Sequence, residues 1–420
     1  MKNFLFLIIF CCFSSVLFAQ EVSRKDTLTF QTQDGLPVAA SKIYFTDAKF
    51  TVSGFGESNF INYLGEKNTE SGDLELYFTN LQRLVFYAAY KPTNWLVLYA
   101  EIFAEYINDG SHEDHFEFLP ELFADFLISE KFNMRVGTHQ VKIGFLNNRD
   151  EPIMYYSVNR PEVERLIIPS TWIDLGIMTY GKVTDDLSWS ASLYQALDPN
   201  VMFGNSWIRQ GRSETLRMNF NGYTLNGGLE YRGIENTEIV ANGVFARMAQ
   251  DNMVSNTTLL SSFIRHTRKN WTAMALGALG FNDNTEGIYD LTFNPNTAMG
   301  EILGKRNFGY YVEMGYDLLS FFPRATQNAE FSNFLYNRAE FKLPLFLRYE
   351  RLNTHQQVAQ QFENSQFPST DLSAWTLGLN FNPRHNIVLK SNYQFRNNKV
   401  ALPNGLHEGD RFEFGLGFIF

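Results

Sequence analysis

Apolar and polar residues alternate with a period of two in segments of about ten residues, which repeat from Lys49 to the last residue, Phe420. In the final segment, large apolar residues occupy every second position, and charged residues or glycines lie between them. The apolar row consists of Phe412, Phe414, Leu416, Phe418 and Phe420. Such a row on the outside of a sheet is stable only where lipid covers it, so the pattern predicts strands of a membrane barrel.

Segments of this kind recur along the chain. Between residues 94 and 106, for example, leucine, alanine and isoleucine alternate with Glu101 and Glu105. Counting the segments gives about 16 strands, and single-chain bacterial barrels have an even number. A soluble β-sandwich alternates as well, but aromatic residues at the ends of many segments favour the barrel. We therefore expect an all-β fold, a transmembrane antiparallel β-barrel of about 16 strands spanning residues 49–420 in the outer membrane.

The N-terminal residues are typical of an export signal. Lys2 precedes an apolar run from Phe4 to Phe13, and Ala19 offers a small residue for cleavage before Gln20. Residues 1–19 are therefore predicted to be a signal peptide, and 20–48 a periplasmic N-terminal extension. Both cysteines, Cys11 and Cys12, lie in the signal, so the exported chain would hold no thiolate metal site and no cysteine nucleophile.

The charge balance limits the partners. Lys and Arg number 35 against 45 Asp and Glu, a net charge of −10 that argues against nucleic acid. The expected partners are outer-membrane lipid, small polar solutes or ions, and the barrel-assembly machinery, which would bind the C-terminal strand that ends at Phe420. No cofactor is implied.

Several connections are long. The polar stretches 198–212, 282–306, 323–333 and 354–370 are predicted to form loops outside the membrane. The longest connection, 144–171, carries three arginines, four acids and apolar residues such as Phe145, Tyr155 and Ile168. Loops of this length are usually either functional or disordered, and the apolar residues argue against disorder.

Several short motifs bear on the family. They are Gly54-Phe55-Gly56-Glu57, the strand around Glu101 and Glu105, Asn159-Arg160-Pro161-Glu162-Val163, Ile168-Pro169-Ser170-Thr171-Trp172 and Arg209-Gln210-Gly211-Arg212. Together they resemble the Bacteroidota branch of the phosphate-selective porin O and P family. The resemblance covers most of the chain after the signal, and its strongest parts are 54–181 and the C-terminus.

The resemblance implies a homotrimeric barrel with a loop folded inward as a constriction. Carried onto this chain, that role falls on Arg149, Arg160, Glu162, Glu164 and Arg165 of the 144–171 loop. Opposed charges at a constriction orient a passing dipole and set ion preference. The alternative is that these charges pair with the barrel wall and hold the loop in place, and the two roles are compatible.

Strand parity places charged residues on the lumen wall. The predicted wall residues are Glu101, Glu105, Arg135, Arg338, Lys342, Arg348 and Lys390. A phosphate pore would want a run of basic side chains along the lumen, whereas the wall here mixes both signs. The mixture indicates a general pore for ion transport and gives no reason to expect phosphate selectivity.

The sequence therefore predicts a passive outer-membrane porin and not an enzyme. Two alternatives stay open: a barrel enzyme with a Ser–His–acid cluster on the wall, and a structural or adhesion barrel whose lumen is plugged by residues 20–47 or by loops. His112 and His115, with acids between them, could suggest a metal site, but they lack the helix and the spacing of a metalloprotease motif.

Overall fold

The computed structural model describes residues 28–63, 80–108, 114–212, 218–296, 299–321, 340–365, 367, 369–399 and 409–420. Within them, sixteen strands form one closed barrel; each pairs antiparallel with its neighbours in sequence, and the last pairs with the first. The predicted all-β, 16-strand antiparallel barrel is confirmed. The strands are β1 (Phe50–Tyr63), β2 (Asn80–Thr93), β3 (Leu96–Asn108), β4 (Asp114–Phe126), β5 (Asn133–Gln140), β6 (Ile173–Lys182), β7 (Leu187–Tyr194), β8 (Gly222–Tyr231), β9 (Thr237–Gln250), β10 (Met253–Arg268), β11 (Trp271–Asn282), β12 (Arg306–Asp317), β13 (Pro344–Gln357), β14 (Asp371–Arg384), β15 (Ile387–Asn398) and β16 (Arg411–Ile419).

Inward and outward residues alternate along the strands as the sequence pattern predicts. In β16, Phe412, Phe414, Leu416 and Phe418 are exposed on the outside, whereas Arg411 and Glu413 are buried inside. At one end of the barrel, outward aromatic residues form pairs such as Trp95 on Phe126, whose ring centres lie 6.3 Å apart. An apolar outer band with aromatic residues at its edge belongs to a barrel that spans the outer membrane. Among the described residues, no helix is long and apolar enough to cross a membrane.

The two ends of the barrel differ in their connections. The chain enters β1 and leaves β16 at one end, which we call the inner end; β2–β3 and β14–β15 are joined there by short turns. Connections 141–172, 195–221 and 283–305 lie at the opposite, outer end. The predicted outer loop 323–333 lies outside the described residues; the flanking strands β12 and β13 end and begin, respectively, at the inner end. Residues 322–339 of that connection lie outside the described part.

The wall closes where the first and last strands meet. The amide of Gly54 donates to the carbonyl oxygen of Phe420 at 3.0 Å, and the amide of Phe420 donates to Gly54 at 2.9 Å. The register continues with Phe55 opposite Ile419. Closure leaves no strand edge exposed, which a barrel in lipid requires because lipid cannot hydrogen-bond a free backbone group.

The lumen is occupied by two segments. Residues 36–43, from the region predicted to be a periplasmic extension, are buried inside the inner end, where Leu36, Val38 and Ile43 pack in one apolar cluster with Val85 and Tyr87 of the wall. The second segment is the β5–β6 connection. Short helical pieces complete the fold: an α-helix at Thr285–Leu291, a π-helical turn at Val163–Ile167, and 3-10 turns at Lys42–Phe45, Pro199–Val201, Gly204–Ser206, Leu318–Phe321 and Gln360–Phe362.

Candidate functional site

The β5–β6 connection folds into the barrel and crosses its interior. Its middle part binds inward side chains of distant strands: the amide of Val158 donates to Asn392 Oδ1 at 2.8 Å, and Lys390 Nζ donates to the carbonyl oxygen of Ser157 at 3.0 Å. Arg348 Nη1 also donates to Ser157 Oγ at 2.6 Å. Because these partners are on β13 and β15, the segment around Ser157 is fixed to the far wall of the lumen.

Glu162 anchors the loop through three arginines. Its Oε1 lies 3.5 Å from Arg165, 2.9 Å from Arg396 and 2.5 Å from Arg411, and its own amide donates to Glu350 Oε2 at 2.7 Å. Burial alone would raise the pKa of Glu162, but Arg165, Arg411 and Arg396 hold it well below its ordinary value. The carboxylate therefore stays ionised and binds the loop to β15 and β16.

Glu164 holds the start of the loop against its later part. Its Oε2 accepts hydrogen bonds from the amides of Phe145 at 2.7 Å and Leu146 at 2.6 Å, and its Oε1 accepts one from the Tyr311 hydroxyl at 2.6 Å. Burial raises the pKa of Glu164 in spite of these three donors. Its contacts join two parts of the loop and β12.

The three loop arginines have different surroundings. Arg149 is paired with Glu238 of β9 at 2.6 Å, so it holds the loop to the wall. Arg160 donates to Thr171 Oγ1 at 2.9 Å and lies 3.7 Å from Asp150. Arg160 and Arg165 both line an open space on the outer side of the loop, whereas Arg149, Glu162 and Glu164 do not. Of the five predicted constriction residues, Arg160 and Arg165 therefore line this outer space, Arg149 lines a separate space at the inner end, and Glu162 and Glu164 are held by wall and loop.

The space on the outer side of the loop, which we call the outer cavity, has a volume of about 580 Å³, part of which is open to solvent. Five arginines and two glutamates line it, together with polar and aromatic residues. Arg209 and Arg212 donate to backbone carbonyl oxygens of the loop, including those of Arg165 and Thr171. The lining consists of Glu57, Asn59, Leu81, Arg83, Phe103, Glu105, Tyr155, Asn159, Arg160, Arg165, Ser170, Thr171, Arg209 and Arg212.

A row of charges on the wall borders the outer cavity. Glu57, Arg83 and Glu105 stand directly opposite one another on β1, β2 and β3. Arg83 donates to Glu57 Oε1 at 2.8 Å and to Glu105 Oε2 at 2.5 Å. One buried guanidinium thus neutralises part of the charge of two carboxylates that face the cavity.

The other predicted wall residues are distributed over the lumen. Glu101 is buried opposite Glu121, and Arg135 is buried and paired with Asp125 at 2.9 Å. Arg348 lies 3.3 Å from Glu313, and Lys390 is buried beside the loop. Lys342 is exposed and borders a second space on the inner side, while Arg338 lies outside the described residues.

This second space, the inner cavity, has a volume of about 1320 Å³ and lies between the loop and β10–β15. Its lining residues include Tyr155, Arg265, Glu313 and Lys342. Phe30 reaches it from residues 28–48, which we call the N-terminal segment. A third space of about 1230 Å³ lies on the other side of that segment and is lined by charges of both signs, including Lys142 and Glu230. The N-terminal segment therefore separates two openings at the inner end.

The N-terminal segment is bound to both wall and loop. The Tyr44 hydroxyl donates to Asp125 Oδ2 at 2.7 Å, and Lys142 forms an ion pair with Asp34. The amides of Val38 and Ala39 donate to the two oxygens of Glu151 at 3.0 Å and 2.6 Å. The segment and the loop are therefore joined through one buried carboxyl group.

The attachment at Glu151 is expected to depend on pH. Burial raises the pKa of Glu151 to about 8. Because the pKa of Glu151 is higher in the folded protein than in the unfolded chain, its protonation stabilises the bond between the loop and the N-terminal segment. This stabilisation is complete at low pH and falls as the pH rises towards 8. Hydrogen-exchange protection of the Val38 and Ala39 amides, corrected for intrinsic rates, should fall by up to about tenfold per pH unit between about pH 5 and about pH 8. The Glu151→Gln variant should show no such slope, and constant protection in the native chain would contradict the assignment.

The described histidines do not form a catalytic cluster with serine. His139 contacts the Tyr194 hydroxyl, His266 contacts Thr237, His355 contacts Thr354 and His385 contacts Glu340. In the described ranges no group of three or more metal-ligating side chains could hold an ion. Asp114 and His115 begin β4, while His112 and Glu113 lie outside those ranges.

Two cavity-lining residues, Arg83 and Tyr155, had no functional role in the sequence prediction. Arg83 shares its parity with Leu81, Val85 and Tyr87, an apolar row that on its own predicts a lipid-facing side. Tyr155 counted only as an apolar residue of the loop. The available signal for Arg83 was its charge within an apolar row. An unpaired charge in lipid costs free energy, so the charge indicates that this row faces the lumen.

No family model matches the chain. Among curated proteins, an "Uncharacterized protein" of Aquifex aeolicus is 24% identical over 382 residues, 89% of this chain and 81% of the relative. Solved structures similar to the chain include OmpF of Salmonella typhi in complex with daunomycin (TM-score 0.55, 10% identity, 88% of this chain and 97% of that one). They also include the outer membrane channel DcaP of Acinetobacter baumannii (TM-score 0.54, 10% identity, 88% and 97%) and a loop-deletion mutant of OmpT, an outer membrane protein of Vibrio cholerae (TM-score 0.52, 9% identity, 89% and 100%). These likenesses show an outer-membrane porin fold.

Proposed function

We propose that the protein is a porin through which small hydrophilic solutes and ions diffuse passively, with the 144–171 loop as its constriction and a preference for anions. The observation that carries the proposal is the outer cavity, where five arginines face two glutamates beside a loop that crosses the lumen. The likeness to a protein described as an outer membrane channel supports the pore. A 16-strand barrel is also wide enough to leave an aqueous path around such a loop.

The sign of the charge preference follows from the lining. Charged side chains that ring a narrow, water-filled passage attract counter-ions and repel ions of like charge. Glu57 and Glu105 share Arg83, so the remaining arginines of the lining, on the loop and the 195–221 connection, set the sign of the potential in the cavity. Mobile anions should therefore be enriched at the constriction.

Single-channel recording in a planar bilayer tests the proposal directly. With a KCl gradient across the membrane, discrete conductance steps should appear, and the reversal potential should move towards the chloride equilibrium potential. Arg160→Ala should shift that potential towards the value of a non-selective pore, because it removes one positive charge from the cavity lining.

Arg268 provides a matched control, because it is an exposed arginine at the inner end of β10 that does not line the outer cavity. Arg268→Ala should leave the reversal potential unchanged. A reversal potential on the potassium side for the native chain would contradict the anion preference.

A plugged structural or adhesion barrel is the second candidate, because residues 36–43 and the 144–171 loop both lie inside the lumen. The same recording separates the candidates. A folded barrel that inserts into the bilayer and conducts no current would favour the plugged barrel over the porin.

The proposal includes a homotrimer and recognition of the Phe420 strand by the barrel-assembly machinery. Chemical cross-linking of the detergent-extracted protein tests the homotrimer, and a mass of three chains is expected.

Deletion of Phe420 tests the recognition by the barrel-assembly machinery, and reduced assembly in the outer membrane is expected.

A further inference from the structure

One residue separates the two cavities that would form the path through the lumen. Tyr155 lines the outer cavity on one side of the loop and the inner cavity on the other. Tyr155 is only 8% exposed, although it lies between the outer cavity of about 580 Å³ and the inner cavity of about 1320 Å³. Within the described lining of the two cavities, Tyr155 is the one residue that both share.

The ring of Tyr155 is held from two strands of the wall. Its hydroxyl donates to Glu57 Oε2 of β1 at 3.4 Å, and the ammonium of Lys390 on β15 lies 3.6 Å from the ring centre. Lys390 also donates to the backbone of Ser157, two positions along the loop. A cation over the aromatic face and a hydrogen bond donated by the hydroxyl fix both the position and the plane of the ring.

The wall beside Tyr155 leaves little space for a path around the ring. On β16 a Cβ placed on Gly417 would stand 2.3 Å from Cβ of Pro152, and one placed on Gly415 would stand 3.1 Å from Cγ1 of Val158. The loop thus lies directly on the backbone of β16 on both sides of Tyr155. A solute that moves between the cavities along this wall must pass the ring.

We propose that Tyr155 is the residue that divides the outer from the inner cavity and thereby sets the conductance and the size limit of the pore. The inference rests on the proposed function, since it concerns the path of solutes through the same lumen. Arginines of the outer cavity would select by charge, and the Tyr155 ring, held by Glu57 and Lys390, would select by size.

Truncation of the ring tests the proposal. Tyr155→Ala should increase single-channel conductance at least about twofold and admit larger neutral solutes in liposome swelling, because the partition between the cavities is removed. Tyr155→Phe keeps the ring and loses only the hydroxyl, so its conductance should stay close to the native value. Tyr156→Ala is the matched control, because Tyr156 lines only the inner cavity and stacks on Phe346.

A cysteine at the same position gives a readout that does not depend on a gain of conductance. The chain from residue 20 onward contains no cysteine, so Tyr155→Cys introduces a single thiol. A small charged methanethiosulfonate reagent should reduce the current of this variant when added from either side of the bilayer. The same reagent on a Tyr156→Cys variant should have a smaller effect.

The outcomes separate this inference from the proposed function. If the native protein conducts and Tyr155→Ala conducts equally, the partition is refuted while the porin stands. If the native protein is silent and Tyr155→Ala conducts, the partition is supported and the permanently open pore is refuted. If both are silent in a folded barrel, both proposals are refuted.

Discussion

Replacement of Glu162 with alanine is expected to detach the 144–171 loop from the far wall. The carboxylate is 2% exposed and compensates Arg396 and Arg411 of the wall as well as Arg165 of the loop. Removing one partner of a buried charge cluster leaves the others uncompensated, which typically costs about 3–5 kcal/mol. In detergent or lipid, the urea midpoint should fall, and trypsin should cut between Arg165 and Leu166 far faster than in the native chain.

The matched control is Glu235→Ala, because Glu235 is an exposed acid in the β8–β9 turn at the inner end. It removes the same charge and should change neither the midpoint nor the rate of cleavage.

The pKa of Glu162 is held low in the folded protein. Its contribution to stability is therefore present above the pKa of an unfolded glutamate and is lost as the pH falls through the folded value. If the Glu162→Ala variant at neutral pH has the urea midpoint and the cleavage rate of the native chain, the three arginines find other partners.

Replacement of Arg83 with methionine is expected to change both stability and ion preference. Arg83 is the partner that Glu57 and Glu105 share, and all three side chains are buried. Methionine keeps much of the length of the side chain but leaves two carboxylates side by side, at a cost of about 3–5 kcal/mol. Because both carboxylates line the outer cavity, the reversal potential in a KCl gradient should move markedly towards the potassium side.

A compensated variant makes the test specific. In the triple variant Arg83→Met, Glu57→Gln and Glu105→Gln, no charge of the row remains, so stability should recover in large part and the anion preference should return. Lys131→Met is the control for loss of one positive charge, since Lys131 is exposed in the β4–β5 turn and lines none of the three spaces described above. A triple variant as unstable as the single one would show that packing of the guanidinium, and not its charge, is responsible.

The strands were predictable where one face meets lipid and the other meets water. In β13, Leu345 and Leu347 point outward while Arg348 and Glu350 point inward. The contrast between apolar and charged residues therefore shows directly which positions face the lumen. In β2 this contrast is absent, because the inward residues Val85 and Tyr87 pack on the N-terminal segment. The sequence signal is weak wherever the lumen is filled by protein, since the inner face is then apolar as well.

The position of the loop was predictable only through resemblance, and its contacts were not predictable. Periodicity places Arg396 and Arg411 on the inner face, but it does not show that both bind Glu162, more than two hundred positions away in the chain. The 323–333 stretch was predicted to be an outer loop from its polarity alone, whereas the strands that flank it, β12 and β13, end and begin at the inner end. The end of the barrel at which a connection lies depends on whether an odd or an even number of strands precedes it. The number of strands was known only to within about two.

The contact between Gly54 and Phe420 has a consequence for biogenesis. The wall is complete only when the first strand meets the last one, so this sheet keeps an exposed edge until β16 is in place beside β1. Closure therefore cannot follow synthesis step by step, and every other strand must be exported and kept from aggregating until the last one arrives. A nonsense mutation anywhere upstream should consequently yield periplasmic material for proteases to remove, with no smaller channel in the membrane.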